Sequence, residues 1–466
     1  MRVFREPRRV MATNAEAGWE APNPKFQIPK KLQIPSSKTG FVRLRVEKPE
    51  ASPRCGGQDW SLELGASLGF GTWSLEFSFA ALLFLTFTVS AQNYIPKPNE
   101  FPPLDRATYI SGELVVVDPI NRRGGIRIDC GIRDERRASD GPLHYFAMLP
   151  CGEIWLHGAP ATLQDVPLGT HVQGYFFVPP AGEENTIAPP PKDLAALIPP
   201  QNHALLLEDD VSFYRRHGQS WRILAVDFAT SKLQVESVGK APPHGLSGKQ
   251  TFDFDIGTRV WQAGRPVASR ELKPGATVQL NFGRAVNWRD NEFGLNDVWL
   301  DAESLQQATD LQNLRNVRYH RIRWLPGRVE AVENFDYGGG LVTVVMFGGV
   351  AKQLLDELHA DRNERIAVAP AEHTLRTWTH RGDRAFGKLV KWETAPVVPG
   401  FSGVRLHLKF AEMLDHYRPG NAVRVKAENW TWISNTPEER VKSFEDRERS
   451  RSLRLPGQVV PEEKAR

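Results

Sequence analysis

The sequence predicts a mainly β protein: tandem small β-barrels with one short connecting helix and disordered termini. Three observations carry this. Between residues 107 and 430 the chain is a succession of short alternating or β-rich runs, punctuated by Gly, Pro and Asp. One turn-and-strand unit recurs three times in that region. Only one stretch, 301–318, shows helical spacing bounded by a capping residue.

In chain order, residues 1–76 hold no sustained period and are rich in Pro, Gly and Ser, which reads as a disordered leader. Lys25-Phe26-Gln27-Ile28-Pro29 and Lys31-Leu32-Gln33-Ile34-Pro35 repeat in it. Reverse-complementing their codons yields something close to Trp60-Ser61-Leu62-Glu63-Leu64 and Trp73-Ser74-Leu75-Glu76-Phe77. The reading is an inverted repeat translated from upstream of the true start, which then falls near Leu62, Leu64 or Leu68.

Residues 77–91 form an uncharged apolar run ending Val89-Ser90-Ala91. It is short for a bilayer span and ends in small residues, as a cleaved signal peptide does. The expectation is export, periplasmic or secreted, with cleavage after Ala91. The alternative is a membrane anchor formed by 77–91 itself. Residues 1–91 hold twelve Lys/Arg and eight Asp/Glu, so they account for the whole formal charge of +4, and the remainder is neutral. That argues against a nucleic-acid partner and against a polybasic membrane contact.

Residues 92–106 carry four prolines and read as a linker. Strand-length runs at 109–117, 125–130, 143–149, 153–157 and 171–178 define a first barrel over 107–180. Residues 181–217 read as a second Pro-rich linker. Runs at 222–228, 232–238, 250–256, 258–262, 276–282 and 293–300 define a second barrel over 218–300. In the helix 301–318, Leu305, Ala308, Leu311 and Leu314 recur every third residue, and Asp301 is placed to cap it. Runs from 327 to 428 define a third barrel over 319–432. The tail 433–466 is dense in charge and poor in core residues.

The repeated unit is Gln164-Asp165-Val166-Pro167-Leu168-Gly169, Arg270-Glu271-Leu272-Lys273-Pro274-Gly275 and Asp415-His416-Tyr417-Arg418-Pro419-Gly420, each followed by a strand. Its physical reading is a capping turn. The acid (Asp165, Glu271, Asp415) accepts turn amides, the apolar residue plugs a barrel end, and the glycine after Pro or Leu sets a type II turn. Gly-x-Pro precedes the unit at Gly158-Ala159-Pro160 and Gly264-Arg265-Pro266. A weaker fourth copy is Leu355-Asp356-Glu357-Leu358. On these residues the chain resembles exported bacterial proteins built from repeated five-stranded barrels, similar to oligonucleotide/oligosaccharide-binding barrels. The resemblance covers about 107–430 and implies a fold but no activity.

No His-x-His, His-Glu-x-x-His or Cys-x-x-Cys spacing occurs, so neither a metal nor another cofactor is expected. Glu208-Asp209-Asp210 and the Asp253/Asp255 pair read as solvated acids. Trp430 and Trp432 alternate along a strand, which places both indoles on one face as a stacking platform for a ligand. Asp140-Gly141 reads as a two-residue hairpin turn. Partners then sum to 281, so Cys130 faces Cys151, and a bridge there is worth about 3 kcal/mol. Together these features point to an exported, non-catalytic binding or scaffold module with a polysaccharide or an envelope protein as partner. The alternative is an envelope hydrolase with carboxylates converging from separate strands. Two measurements check the leader: N-terminal sequencing of exported protein begins Gln-Asn-Tyr-Ile, and no tryptic peptide from residues 1–45 is found in cells.

Overall fold

A computed structural model describes residues 94–97, 99–129, 141–183, 186–287, 292–359, 365–372, 375 and 384–430. The leader, the run 77–91, Cys130, Trp432 and the charged tail lie outside the described residues. Among the described residues, no helix is long and apolar enough to cross a membrane.

The first barrel is built from β1 (Thr108–Asp118), β2 (Arg123–Ile128), β3 (Leu143–Leu156), β5 (His171–Phe177) and β6 (His203–Asp209), with β4 (Ala159–Ala161) returning along β3. The ring runs β1-β2-β3-β6-β5, and β3/β6 is its one parallel pair. Helix α1 (Asp210–Arg216) leads to the second barrel: β7 (Ser220–Asp227), β8 (Lys232–Val238), β9 (Lys249–Asp253), β12 (Thr277–Asn287) and β13 (Glu292–Trp299). It closes in the same order, again through one parallel pair, β9/β13. The short hairpin β10 (Arg259–Gln262) and β11 (Arg265–Val267) extends it. Helix α2 (Ala302–Arg323) leads to a six-stranded barrel: β14 (Leu325–Asn334), β15 (Gly340–Phe347), β16 (Arg365–Pro370), β17 (Ala385–Thr394), β18 (Phe401–Phe410) and β19 (Ala422–Ala427). This third ring runs β14-β15-β18-β17-β16-β19 and is antiparallel throughout. Helix α3 (Lys352–His359) packs Leu354, Leu355 and Leu358 into its core.

The three barrels share one local device. The first strand of each bulges after a buried apolar residue: Leu114, Ile223 or Val329. That residue exchanges two backbone hydrogen bonds with the glycine turn. Gly169, Gly275 and Gly420 donate to the carbonyls of Leu114 (2.9 Å), Ile223 (2.8 Å) and Val329 (2.8 Å). The N–H groups of Leu114, Ile223 and Val329 donate back to Thr170, Ala276 and Asn421. The glycines have φ of 86°, 89° and 92°, the left-handed region that a type II turn needs at its third position. Three residues earlier, Val166, Leu272 and Tyr417 are buried at the barrel ends. Of the acids, Asp165 caps the turn by accepting from the Thr162 N–H and hydroxyl. Glu271 instead pairs with Lys273 on the surface, and no bond from a turn amide to Asp415 is found among the described residues.

Several expectations need correction. Residues 181–217 are not all linker, because β6 and α1 lie there. Every residue of β6 is buried, so it has no alternation to reveal it. Among the described residues there are three α-helices rather than one, and α3 occupies the segment read as a fourth turn. On α2, Leu311 and Leu314 are exposed, and the buried face is Leu305, Thr309, Gln312 and Asn316. A strict three-residue step drifts around a 3.6-residue helix, and α2 docks on backbone carbonyls, which call for donors. Thr309 reaches the His157 carbonyl (2.7 Å) and Gln312 that of Pro160 (3.2 Å). In the β2/β3 hairpin Ile126 faces His144. Partners therefore sum to 270, and the register argued for a Cys130–Cys151 bridge does not hold. Cys151 is a free, buried thiol.

Gly275 has open space around its α-carbon, with nothing within 4 Å of an added Cβ. Gly275→Ala should therefore report backbone strain alone. The expected loss is about 1–2 kcal/mol, read from the urea midpoint of the transition that exposes the fully buried Trp221.

Candidate functional site

Two regions gather chemistry-bearing side chains. The first is the junction of barrels 1 and 3. Pro150 and Gly152 fit poorly in a ladder, and β3 shifts register between Met148 and Glu153 opposite β6. Cys151 lies in that bulge and packs with Leu149, Phe177, Leu205, Phe347 and Ala422. The described residues of the segment expected as a Pro-rich linker, 92–106, are strapped across this junction. Phe101 stacks on Phe401 at 5.1 Å, and Tyr94 meets Phe177 edge-on at 5.7 Å.

Beneath the strap is a pocket of about 320 Å3, within the size range of small-ligand sites. Its walls include Lys97, Glu100, Cys151, Glu183, Arg328 and Phe347. Arg328, on β14, is 9% exposed and lies over the Phe101 ring at 4.5 Å. Its Nη2 donates to the Asn99 carbonyl, and its Nε is buried without a hydrogen-bond partner. Burial holds its guanidinium below the usual arginine range. Burial pushes the Cys151 thiol up to about 11, so the sulfur is protonated and a poor nucleophile at neutral pH.

The second region is a buried polar network between barrels 1 and 2. Asp209 caps α1 by accepting from the Ser212 N–H (3.0 Å). It also accepts from the His157 N–H (3.0 Å) and from Asn281 Nδ2 (3.0 Å) of barrel 2. Asp210 accepts from the Phe282 N–H (2.7 Å) and from Gln173 Nε2 (2.6 Å). The His171 ring bridges Asp210 (Nδ1, 2.7 Å) and Asp129 (Nε2, 2.9 Å). Burial alone would lower the His171 pKa, but the Asp210 and Asp129 carboxylates outweigh it and hold it well above the ordinary range. The two carboxylates bond opposite nitrogens of the ring and do not converge on one point. Among the described residues, no group of three or more His, Cys, Asp and Glu could hold a metal ion.

Tandem acids at 208–210 are therefore structural and buried, not solvated. Glu208 is likewise paired, with Arg216. Trp430 is no platform. It is 7% exposed in the core of barrel 3, with the Arg321 guanidinium 5.9 Å from its ring, and Trp432 lies outside the described residues. The turn residues Asp165, Gly169, Glu271, Pro274, Gly275, Asp415, Pro419 and Gly420 shape barrel ends and do not meet at one site. Arg328 and His171 were not singled out by sequence. A usable signal was the repeat of Asp-x-x-Ser at Asp209/Ser212 and Asp301/Ser304, each C-terminal to a Gly-x-Pro hairpin.

Replacing His171 by Asn should cost about 3–5 kcal/mol near pH 6, since it leaves the buried Asp210 carboxylate without its cation. The sign of the pH dependence follows from the raised pKa. The His171 contribution is complete below the unfolded value of about 6.5 and is lost as pH rises through the higher folded value. Urea midpoints from pH 6 to 10 should fall for the native protein and lack that component in His171→Asn.

No family model and no curated protein matches the chain. Among solved structures, a variant of CusF from Escherichia coli with Cu(II) is similar over a short stretch. Identity is 15%, coverage is 18% of this chain and 89% of that one, and the TM-score is 0.14.

Proposed function

We propose that the protein is an exported, non-catalytic binding module of the cell envelope, and that its ligand occupies the pocket between barrels 1 and 3. One observation carries the reading. The carboxylates of the barrel 1–barrel 2 junction are consumed by structural bonds, while the barrel 1–barrel 3 junction keeps an open pocket of about 320 Å3 around a buried, partly unsatisfied Arg328. Hydrolysis by paired carboxylates needs two of them facing one cleft at about 5–10 Å. Asp209 and Asp210 instead face backbone amides, His171 and Asn281.

The barrels are of the oligonucleotide/oligosaccharide-binding type in this reading. What supports that is the strand order 1-2-3-5-4 of the first two, each closed by a parallel pair between its third and fifth strands. In such barrels, ligands meet the loops after the first and fourth strands. Pro180, Gly182 and Glu183, in the loop after the fourth strand of barrel 1, line the pocket. Export is supported by the apolar run 77–91, and a polysaccharide ligand by the neutral charge beyond residue 91.

Titration of the full chain with soluble envelope glycan fragments tests this. Saturable binding, weakened tenfold or more by Arg328→Met, is the expected result. Release of new reducing ends would mean a hydrolase. Binding indifferent to Arg328→Met would place the ligand elsewhere.

A further inference from the structure

A second, smaller cavity of about 80 Å3 lies where the β3 bulge, the end of α2 and the loop after β15 meet. Its walls carry Arg122, Glu153, Tyr319, His320, Gly348 and Arg424. It is a different space from the ligand pocket, though Pro150 and Phe347 border both.

Two guanidinium groups reach this cavity without a counter-ion among the described residues. Arg122 donates through Nη1 to the Pro150 carbonyl (3.0 Å) and through Nη2 to that of Gly152 (2.9 Å). Arg424, 6% exposed on β19, donates through Nη1 to the carbonyls of Arg323 (3.0 Å) and Trp324 (3.2 Å). Its Nη2 reaches the Leu375 carbonyl (3.2 Å). Its Nε is buried and has no hydrogen-bond partner. All of these backbone acceptors are neutral, and the other groups acting on Arg424 are the Tyr319 hydroxyl and a further cation, Arg323. Neutral carbonyls fix the position of a guanidinium but do not cancel its charge, and isolated charges are strongly disfavoured in protein interiors.

The surrounding titratable groups show the same excess of positive charge. Burial, the chief cause, lowers Arg122 to about 10, with Arg424 adding to the effect, and burial lowers Arg424 too. Burial and the two arginines together push His320 down to about 3, so that ring is neutral. Glu153 is the one carboxylate among the described lining residues. Burial raises its pKa, and its oxygens are already taken by Trp155 Nε1 (3.0 Å) and the Gly400 N–H (2.7 Å).

We propose that this cavity holds one small inorganic oxyanion, of the phosphate or sulfate class, between Arg122 and Arg424. The Arg424 Nε–H and the Tyr319 hydroxyl supply donors. At about 10–15 Å3 per water, the cavity has room for several waters and hence for a four-oxygen anion. Arginine suits the role because its planar fork binds such oxygens through charge-assisted hydrogen bonds. The anion neutralises the junction of barrel 1, α2 and barrel 3. This site is separate from the glycan reading and stands without it.

The test uses the full chain purified without added phosphate or sulfate. Ion chromatography after acid denaturation should find about one phosphate or sulfate per chain, the number the proposal assigns. After exhaustive exchange into chloride, the thermal midpoint should rise with phosphate or sulfate but not with chloride at matched ionic strength. Arg424→Lys and Arg122→Lys should each weaken that response tenfold or more, because a lysine keeps the charge and loses the fork. Arg328→Met should leave it unchanged, which separates this site from the glycan pocket. A midpoint that tracks ionic strength alone with no oxyanion released would overturn the proposal. So would lysine variants that respond like the native protein. If neither lysine variant folds, the release and midpoint measurements on the native chain decide.

Discussion

Two adjacent carboxylates, Asp209 and Asp210, hold the first two barrels in register. Asp209 caps α1, grips the β3–β4 turn and takes the Asn281 amide of barrel 2. Asp210 takes the Phe282 N–H and, from barrel 1, the His171 ring and Gln173. With α1 fixed in this way, Phe213 and Tyr214 enter the core of barrel 2 beside Trp221 and Phe282. The core of the second barrel is therefore completed by a helix that begins on the last strand of the first. Apolar packing supplies most of the stabilisation, but it is non-directional. The buried carboxylates supply direction, since each accepts only from donors at fixed places.

The same clamp recurs one barrel later. Asp301 caps α2 through the Ser304 N–H (2.7 Å) and accepts from the Ala263 N–H (2.8 Å), while the Ser304 hydroxyl accepts from the Gly264 N–H (2.9 Å). In barrel 1 the Ser212 hydroxyl accepts from the Gly158 N–H (2.8 Å). Strand order, bulge, glycine turn and helix clamp together define a repeat of barrel plus following helix. Barrel 3 keeps the bulge and the glycine turn but departs in closure. It inserts β17 between β16 and β18, which replaces the parallel closing pair by antiparallel neighbours on both sides.

Helix α2 then works as a spacer with a polar buried face. Thr309 and Gln312 bind carbonyls of barrel 1, and Asn316 accepts from the Ala351 N–H (2.8 Å) of barrel 3. These bonds bring Tyr319 and His320 to the cavity that Arg122 and Arg424 share. The larger pocket depends on a different contact, the packing of Phe101 and Tyr94 over the junction. Both cavities owe their existence to how barrels 1 and 3 meet, and neither is a property of a single barrel.

The sequence by itself determined the β class, most strand positions and the three glycine turns, because these rest on local chemistry. Alternation follows from the pleat, and a φ near 90° after Pro or Leu selects glycine whatever surrounds it. It also marked Asp301 as a cap. Only the tertiary structure decided which acids are buried, which face of α2 is inward and where Cys151 lies. Asp210 gains its partners from His171 and from Phe282, far away along the chain, and no local pattern records such a pairing. In the sequence Arg122 is an ordinary arginine beside a strand and Arg424 an ordinary arginine within one. They become a concentration of positive charge because two barrels and the end of a helix bring them to one cavity, where Arg424 is buried and Arg122 half-buried, so that water screens them less.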